Sequence, residues 1–339
     1  MTRRLFLRSF VLAALLLGLT VPASASAQEI TVKWATLAPE GTTWFKALRQ
    51  IGDKWTEISG GAVKVRIYAG GVVGNETAMI RKMRIGQLHG GQITNLGLVD
   101  FDPGPQVINA PMLIQSNAEL DHVMANMGPK FTERLLEKGI VVLNWGDAGW
   151  VHLFTKNPMT SPDSTKDYKI YAYDGDPEAV KLFEKFGFNP VVMTATDVLP
   201  SLQSGLVNSF PSTRLGALSL QWFALAPNMM DVPWAPLMGA TVISKEVWDQ
   251  IPAEYHERFR AAAKEVGDSV RAEIRRQDEK AVPVMQKFGL KVSTPSAEER
   301  ARWEAIGAEA AEIWAGKVVP PEIFDKVKAL VAEHRAANP

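Results

Sequence analysis

Segments of strand period and segments of helix period alternate along this chain, and that alternation limits its fold more than any other feature. Ile30 to Thr36 reads as a strand, and the turn Pro39-Glu40-Gly41-Thr42 opens an amphipathic helix that runs to about Ser59 and ends at Gly60-Gly61. Val63 to Tyr68 alternates apolar positions with Lys64 and Arg66, as a strand does, and Gly70 to Gly74 then turns into a helix ending near Ile85. Gln92 to Leu98 and Val141 to Trp145 are further strands, separated by a helix from about Ala118 to Lys138. A second cycle follows the proline-bracketed turn Pro158 to Pro162: strand Lys169 to Tyr173, helix Pro177 to Phe186, strand Asn189 to Met193, helix Asp197 to Ser204 closed by Gly205, strand Val207 to Phe210. Beyond Pro252 a long charged helix runs to about Phe288, with Pro283 placed to kink or interrupt it. Two more helices, Ala297 to Ala315 and Pro321 to Arg335, complete the chain, their Trp303, Ile306, Ile313 and Trp314 read as packing faces. This order predicts an α/β architecture with a largely parallel sheet.

The first 27 residues read as an export signal. A basic start with Arg3, Arg4 and Arg8 precedes an apolar stretch from Phe10 to Val21 and a small-residue end, Ala25-Ser26-Ala27. The paired arginines followed by Leu5-Phe6-Leu7 resemble a twin-arginine signal, with general secretion or an uncleaved anchor as alternatives. Cleavage after Ala27 leaves 34 basic against 37 acidic residues, a net charge of −3. Such a balance provides no basic footprint for nucleic acid or an anionic membrane. No later stretch of about 18 apolar residues occurs that would cross a bilayer.

The chain has no cysteine, which removes disulfides, thiolate zinc sites, iron–sulfur clusters and thiol nucleophiles. Five histidines remain, at 89, 122, 152, 256 and 334, and no His-Glu-x-x-His pair is formed. Neither a Gly-x-Ser-x-Gly elbow nor a Gly-x-Gly-x-x-Gly after a strand is present, and Gly70 to Gly74 lacks the Lys-Ser/Thr of a phosphate loop. Asp174 and Asp176 suit a hard cation such as calcium, or equally a solvated turn before a proline-started helix.

Aromatic placement carries more information. All ten tryptophans follow the signal, and Trp34, Trp145, Trp150, Trp222 and Trp234 fall at strand ends or in loops. In α/β sheets the binding crevice lies beyond the carboxyl ends of strands, where rigid aromatic faces offer a large contact area. Ordinary core packing is the alternative for each of them.

Several blocks, in order, resemble the solute-binding proteins of TRAP transporters, the DctP family. They include Trp34-Ala35-Thr36 with Pro39 and Gly41, Gly60-Gly61-x-Val63-Lys64-Val65, and Gly70-Gly71-Val72-Val73-Gly74 followed by Ile80, Met83 and Gly86. Ala110-Pro111-Met112-Leu113, Gly149 to Pro158, Ser161-Pro162-Asp163 and Gly187-Phe188-Asn189-Pro190-Val191 continue the series. Asp197 to Asn208 resembles the family signature Glu-Val-Tyr-x-Ala-Leu-Gln-x-Gly-Val-Val-Asp and is the most specific block.

The resemblance implies an α/β, two-lobed periplasmic-binding-protein-like fold, with a long helix spanning both lobes and hinge closure on a ligand. It implies residues 28–150 with about 237–278 as one lobe, about 151–236 with 279–339 as the other, and crossings near Gly149 and Leu237. It further implies a periplasmic receptor, not an enzyme, that hands a small organic solute to ion-gradient-driven membrane subunits. The C-terminal helices suit a homodimer or a packed monomer equally, and no cofactor is expected beyond a cation that bridges the ligand. Many members carry an arginine two residues after the lysine of the Lys169 strand, gripping a substrate carboxylate. Here that position is Tyr171, and alternation puts Lys169, Tyr171 and Tyr173 on one side of the strand.

Two ligand classes stay open. One is an aromatic, amphipathic or weakly charged solute held by Trp34, Trp145, Trp150, Tyr171, Tyr173, Phe210, Trp222 and Trp234, with Gln92, Asn95 and Asp174 as polar fixers. The other is a carboxylate gripped by Lys169, by Arg214 or through a bridging cation such as calcium. A secreted enzyme with a catalytic pair dispersed in sequence is the remote third reading.

Overall fold

A computed structural model describes residues 29–338; the export signal lies outside the described residues. The first half-turn of the fold is built from β1 (Ile30–Ala35), α1 (Thr43–Ile58), β2 (Val63–Tyr68), α2 (Glu76–Arg84) and β3 (Gly90–Thr94). α1 forms where expected because Thr42 accepts a hydrogen bond from the Phe45 amide, and Leu48, Ile51 and Trp55 recur on one buried face. β3 stops at Thr94, short of the expected Leu98. The Thr94 hydroxyl accepts from the Gly97 amide and starts a single helical turn, α3 (Asn95–Leu98).

After α4 (Asn117–Glu137) comes β4 (Ile140–Thr155), a strand of 16 residues where a short one was expected. The second lobe contains β5 (Lys169–Tyr173), α5 (Pro177–Lys185), β6 (Asn189–Met193), α6 (Val198–Ser204), β7 (Ser209–Thr213), α7 (Arg214–Ser219) and β8 (Asn228–Met230). The chain returns through β9 (Ala235–Ser244) and α8 (Lys245–Gln250) to α9 (Ala253–Lys287), and ends in β10 (Lys291–Ser293), α10 (Ala297–Lys317) and α11 (Pro321–Ala337).

The expected largely parallel sheet is corrected. Among the described residues the main path runs β2-β1-β3-β9-β4-β7-β5-β6. Its two ends are parallel, but β9 is antiparallel to both β3 and β4, and β4 is antiparallel to β7. The long strands β4 and β9 travel from one lobe to the other in opposite directions, so the middle of the sheet has to be antiparallel. Gly149 pairs with Leu237 there, and the register shifts between Asp147 and Gly149.

α9 joins both lobes along its 35 residues. Phe259, Ala263 and Val266 enter the core of the first lobe with Trp34, Leu48 and Trp55, whereas Ala281 and Met285 enter that of the second with Phe154, Phe210 and Val198. Pro283 leaves the helix unbroken to Lys287. Its ring and the residue four before it, Glu279, are exposed, so water can satisfy the carbonyl that loses its donor.

The two C-terminal helices pack in different places. α10 packs on the second lobe through Trp303, against Tyr168, Ile170 and Met230. α11 instead covers α4 of the first lobe, with Phe324, Val327 and Val331 against Val123, Met127 and Phe131. Ala315 and Gly316, non-helical with Gly316 at φ 81°, let the chain turn between them.

Candidate ligand cleft

Between the lobes lies a cavity of about 420 Å³. The first lobe supplies Thr36, Trp44 and Gln92; the connecting strands supply Asn144, Asp147 and His152; α9 supplies Val270, Arg271 and Ile274. From the second lobe come Ile170, Tyr171, Tyr173, Trp222, Met230 and Trp234, and Phe183, Phe186 and Phe188 extend the wall. Aliphatic and aromatic side chains dominate, and among the described residues Arg271 is the one Lys or Arg on the wall.

Of the side chains named in the sequence for the ligand, Gln92, Tyr171, Tyr173, Trp222 and Trp234 line this cavity, as does Asp176, named there for a cation. Tyr171 meets Trp222 edge to face at 6.0 Å, and Trp222 meets Phe210 in the same way at 5.3 Å. Burial holds both tyrosine hydroxyls protonated well above their usual range.

The other eight take different places. Trp34 is fully buried against Trp55, ring centres 4.9 Å apart, because the inward face of β1 meets α1. Trp145 packs on Phe131 and donates to the Thr132 hydroxyl, and Trp150 donates to Asn117; both face α4. Phe210 stacks on Phe154 inside the second lobe. Asn95 is buried, donating to Asn109 and accepting from the Met238 amide. Lys169 is exposed at the amino end of β5, whereas the cavity lies toward the carboxyl end. Arg214 is forked onto Asp278 at 2.7 and 2.9 Å, beside a separate small crevice. Both cations named for a carboxylate ligand are therefore off the wall. Asp174 is committed as well, accepting from Asn75 at 2.9 Å, and no group of three His, Asp or Glu able to hold a metal occurs among the described residues.

Two amide–carboxylate pairs tie the lobes together at the rim. Asn75 caps α2 through Oδ1, accepting from the Ala78 amide, and donates Nδ2 to Asp174. Asp176 caps α5, accepting from the Ala179 amide, while its second oxygen accepts from Gln106 at 2.8 Å. Burial raises both carboxyls above the ordinary range, opposed by these hydrogen bonds. Gln92 on the wall is similarly occupied, donating to the Trp44 carbonyl and accepting from Thr36.

Sequence reasoning missed most of the remaining wall. Trp303, Ile306 and Trp314 were expected only to pack, yet they also close the cavity from α10. Trp44 and Arg271 sit on helices whose periodicity gives no hint of a ligand.

His152 is buried on this wall, its Nδ1 2.9 Å from the Trp150 carbonyl. The carbonyl can only accept, so Nδ1 carries the proton and Nε2 is the acceptor. Burial pushes the imidazole below 6.5, helped by Arg214 and resisted by the Trp150 hydrogen bond and Asp278. The folded chain therefore binds this proton less readily than the unfolded chain. The contribution is fully present above about pH 6.5 and is lost as pH falls below that value. His152→Gln is expected to flatten the loss of stability between about pH 7 and pH 5, by up to about 1.4 kcal/mol per pH unit. Urea unfolding of both proteins tests this, and equal slopes would remove His152 as the cause. The raised carboxyls of Glu76 and Asp176 act in the opposite sense in both proteins, so the difference isolates the histidine.

Comparison with known proteins follows the same outline. Residues 34–316 match the family model described as bacterial extracellular solute-binding protein, family 7, DctP. The C4-dicarboxylate-binding periplasmic protein DctP of Rhodobacter capsulatus is 24% identical over 98% of this chain and 100% of its own length. The 2,3-diketo-L-gulonate-binding periplasmic protein YiaO of Escherichia coli is 22% identical over 96% and 98%. Among solved structures, the sugar acid binding protein DctPAm of Advenella mimigardefordensis in complex with galactonate superposes with a TM-score of 0.84 at 18% identity, covering 91% of this chain and 99% of that one.

Proposed function

The chain belongs to family 7 of the bacterial extracellular solute-binding proteins, the DctP family, and we propose that it captures a small organic solute with an apolar body and passes it to TRAP membrane subunits. As a member of a family of transport receptors it is a binder, not an enzyme. The N-terminal export signal supports a periplasmic location.

The observation that carries this reading is the character of the wall. Names of similar proteins include acids that are polar all round, such as galactonate and C4-dicarboxylates, and others with more carbon surface, such as orotic acid and pantoate. This cavity instead presents Phe183, Phe188, Trp222, Trp234 and Trp303, and its family arginine position is Tyr171. A ligand there gains by burying carbon surface, at about 25 cal/mol per Å² removed from water. A sugar acid would instead lose hydration at hydroxyls that find few partners.

The lobes divide at the Gly149 and Leu237 crossing, with α11 assigned to the first lobe. Closure brings Asn75 to Asp174 and Gln106 to Asp176. A ligand favours this form only through contacts it makes to both lobes at once. Trp44 and Val270 on one side, with Tyr171 and Trp234 on the other, satisfy that requirement.

Mass spectrometry of solute retained on purification from the native periplasm, followed by a thermal-shift panel of aryl and alkyl acids against sugar acids, tests the reading. Trp234→Ala is expected to weaken binding of the retained solute by about tenfold to a hundredfold. Stabilisation by sugar acids alone would overturn the apolar-body assignment.

A further inference from the structure

Most polar side chains on the cavity wall spend their hydrogen-bonding capacity on the protein. Two atoms do not. Nε of Arg271 and Oδ1 of Asn144 are each buried and have no hydrogen-bond partner among the described residues. Leaving such groups unpaired is unfavourable, more so for the charged one.

The two residues stand on elements that pack closely together. Asn144 on β4 lies so close to α9 that a Cβ added at Gly267 would stand 2.4 Å from its amide nitrogen. Arg271 follows Gly267 by four residues, one turn along the same helix face. Gly267 thus lets the strand's amide pack against α9 one turn before Arg271, and both residues line the cavity.

Charge bookkeeping makes Arg271 available. Its nearest acid is Asp147, with Oδ1 3.9 Å from Nε, beyond hydrogen-bond reach. The Asp147 carboxylate is buried and bound by Arg275, which is itself mostly buried. Arg275 also forks onto Asp121 at 2.7 and 2.8 Å, but the Asp121 side chain is half exposed, so water screens its charge. Asp147 and Asp121 both give their hydrogen bonds to Arg275, so the Arg271 guanidinium on the cavity wall has no hydrogen-bonded acid.

We infer that Arg271 and Asn144 form the anchor for the head of the solute: a carboxylate accepting from the Arg271 Nε–H, with a hydroxyl on the adjacent carbon donating to Asn144 Oδ1. The ligand class is then a 2-hydroxy acid with an apolar tail lying along the aromatic wall. This rests on the apolar-body reading above and adds the place and charge of the head. It also relocates the cation from β5, where Tyr171 stands, to the helix that spans both lobes.

Calorimetry with three probes sharing one tail tests the anchor: 3-phenyllactate, 3-phenylpropionate, which lacks the hydroxyl, and 3-phenylpropane-1,2-diol, which lacks the carboxylate. The wild-type protein is expected to bind phenyllactate about tenfold more tightly than either of the others. Arg271→Met should weaken both acids by about tenfold or more and leave the diol within about twofold. Asn144→Leu should remove only the advantage of phenyllactate over phenylpropionate. Arg271→Lys, which keeps the charge but not the Nε–H, should fall between. Because the Arg271 side chain is 37% exposed, its variants are expected to stay folded, and thermal unfolding checks that. Phenyllactate bound equally by wild type and Arg271→Met would overturn the anchor, as would a diol bound as tightly as the acids. In either case the apolar-body reading survives, whereas failure of all three probes on the wild-type protein would overturn both.

Discussion

Asp278→Ala is expected to lower stability by about 3–5 kcal/mol, the range for removing one partner of a buried ion pair. Asp278 is 1% exposed on α9, and its carboxylate has three firm donors. Arg214 gives Nε and Nη2 to Oδ2 at 2.9 and 2.7 Å, and the Leu215 amide gives its proton to Oδ1 at 2.9 Å. The Trp150 amide approaches at 3.5 Å. One side chain therefore ties the spanning helix to the start of α7 and to β4 at the crossing. Its removal strands a guanidinium whose side chain is 22% exposed, together with a buried amide. Asp278→Asn keeps the shape without the charge and should recover part of the loss. Urea unfolding followed by tryptophan fluorescence measures both, and a loss below about 1 kcal/mol for the alanine variant would show that Arg214 reaches water on its own.

Gly149→Val should be comparably damaging, by about 3–5 kcal/mol, for two reasons that can be separated. The backbone there has φ 110°, a region closed to β-branched residues, and an added Cβ would stand 2.4 Å from Asp278 Oδ1. Gly41 has φ 86° with nothing within 4 Å, so Gly41→Ala isolates the conformational cost at about 1 kcal/mol. Gly149→Ala should exceed it because the carboxylate must move. Combined with Asp278→Ala, its cost should shrink toward that of Gly41→Ala, a non-additivity expected of groups in contact. Strict additivity in that cycle would mean that the steric conflict is relieved by another route. The position matters for closure as well, since Gly149 lies opposite Leu237 where both connecting strands pass between lobes.

Local elements were legible where the pattern is local. β5 and β6 begin and end at the residues that alternation and flanking turns mark, and Gly205 ends α6 at φ 73° as a left-handed C-cap should. β7 was expected at Val207 to Phe210 but runs from Ser209 to Thr213, because its partners β4 and β5 set its register. The antiparallel centre was not legible, since hydrophobic alternation reads the same for a strand running either way.

The site was harder to read for a related reason. Trp34, Trp145 and Trp222 were all expected at strand ends or in loops, but Trp145 stands inside the long β4 and Trp222 in a helical turn after α7, and only the packing of neighbouring elements decides which face is core and which is cleft. Asn144 and Arg271 are 127 positions apart, and nothing in either local stretch marks them as a pair.

By itself, the sequence determined the alternation of strands and helices, an N-terminal stretch with the pattern of an export signal, the exclusion of thiol and iron–sulfur chemistry, and the family, through motifs whose order spans the chain. These depend on residue identity and short spacing. The tertiary structure alone decided that Arg214 and Lys169 stand off the cavity and that α10 contributes to its wall. It also decided that one buried donor on α9 and one buried acceptor on β4 are left without partners on the wall of the same cavity. Those are contacts between distant segments, set by how helices dock on a twisted sheet, and no spacing along the chain encodes them.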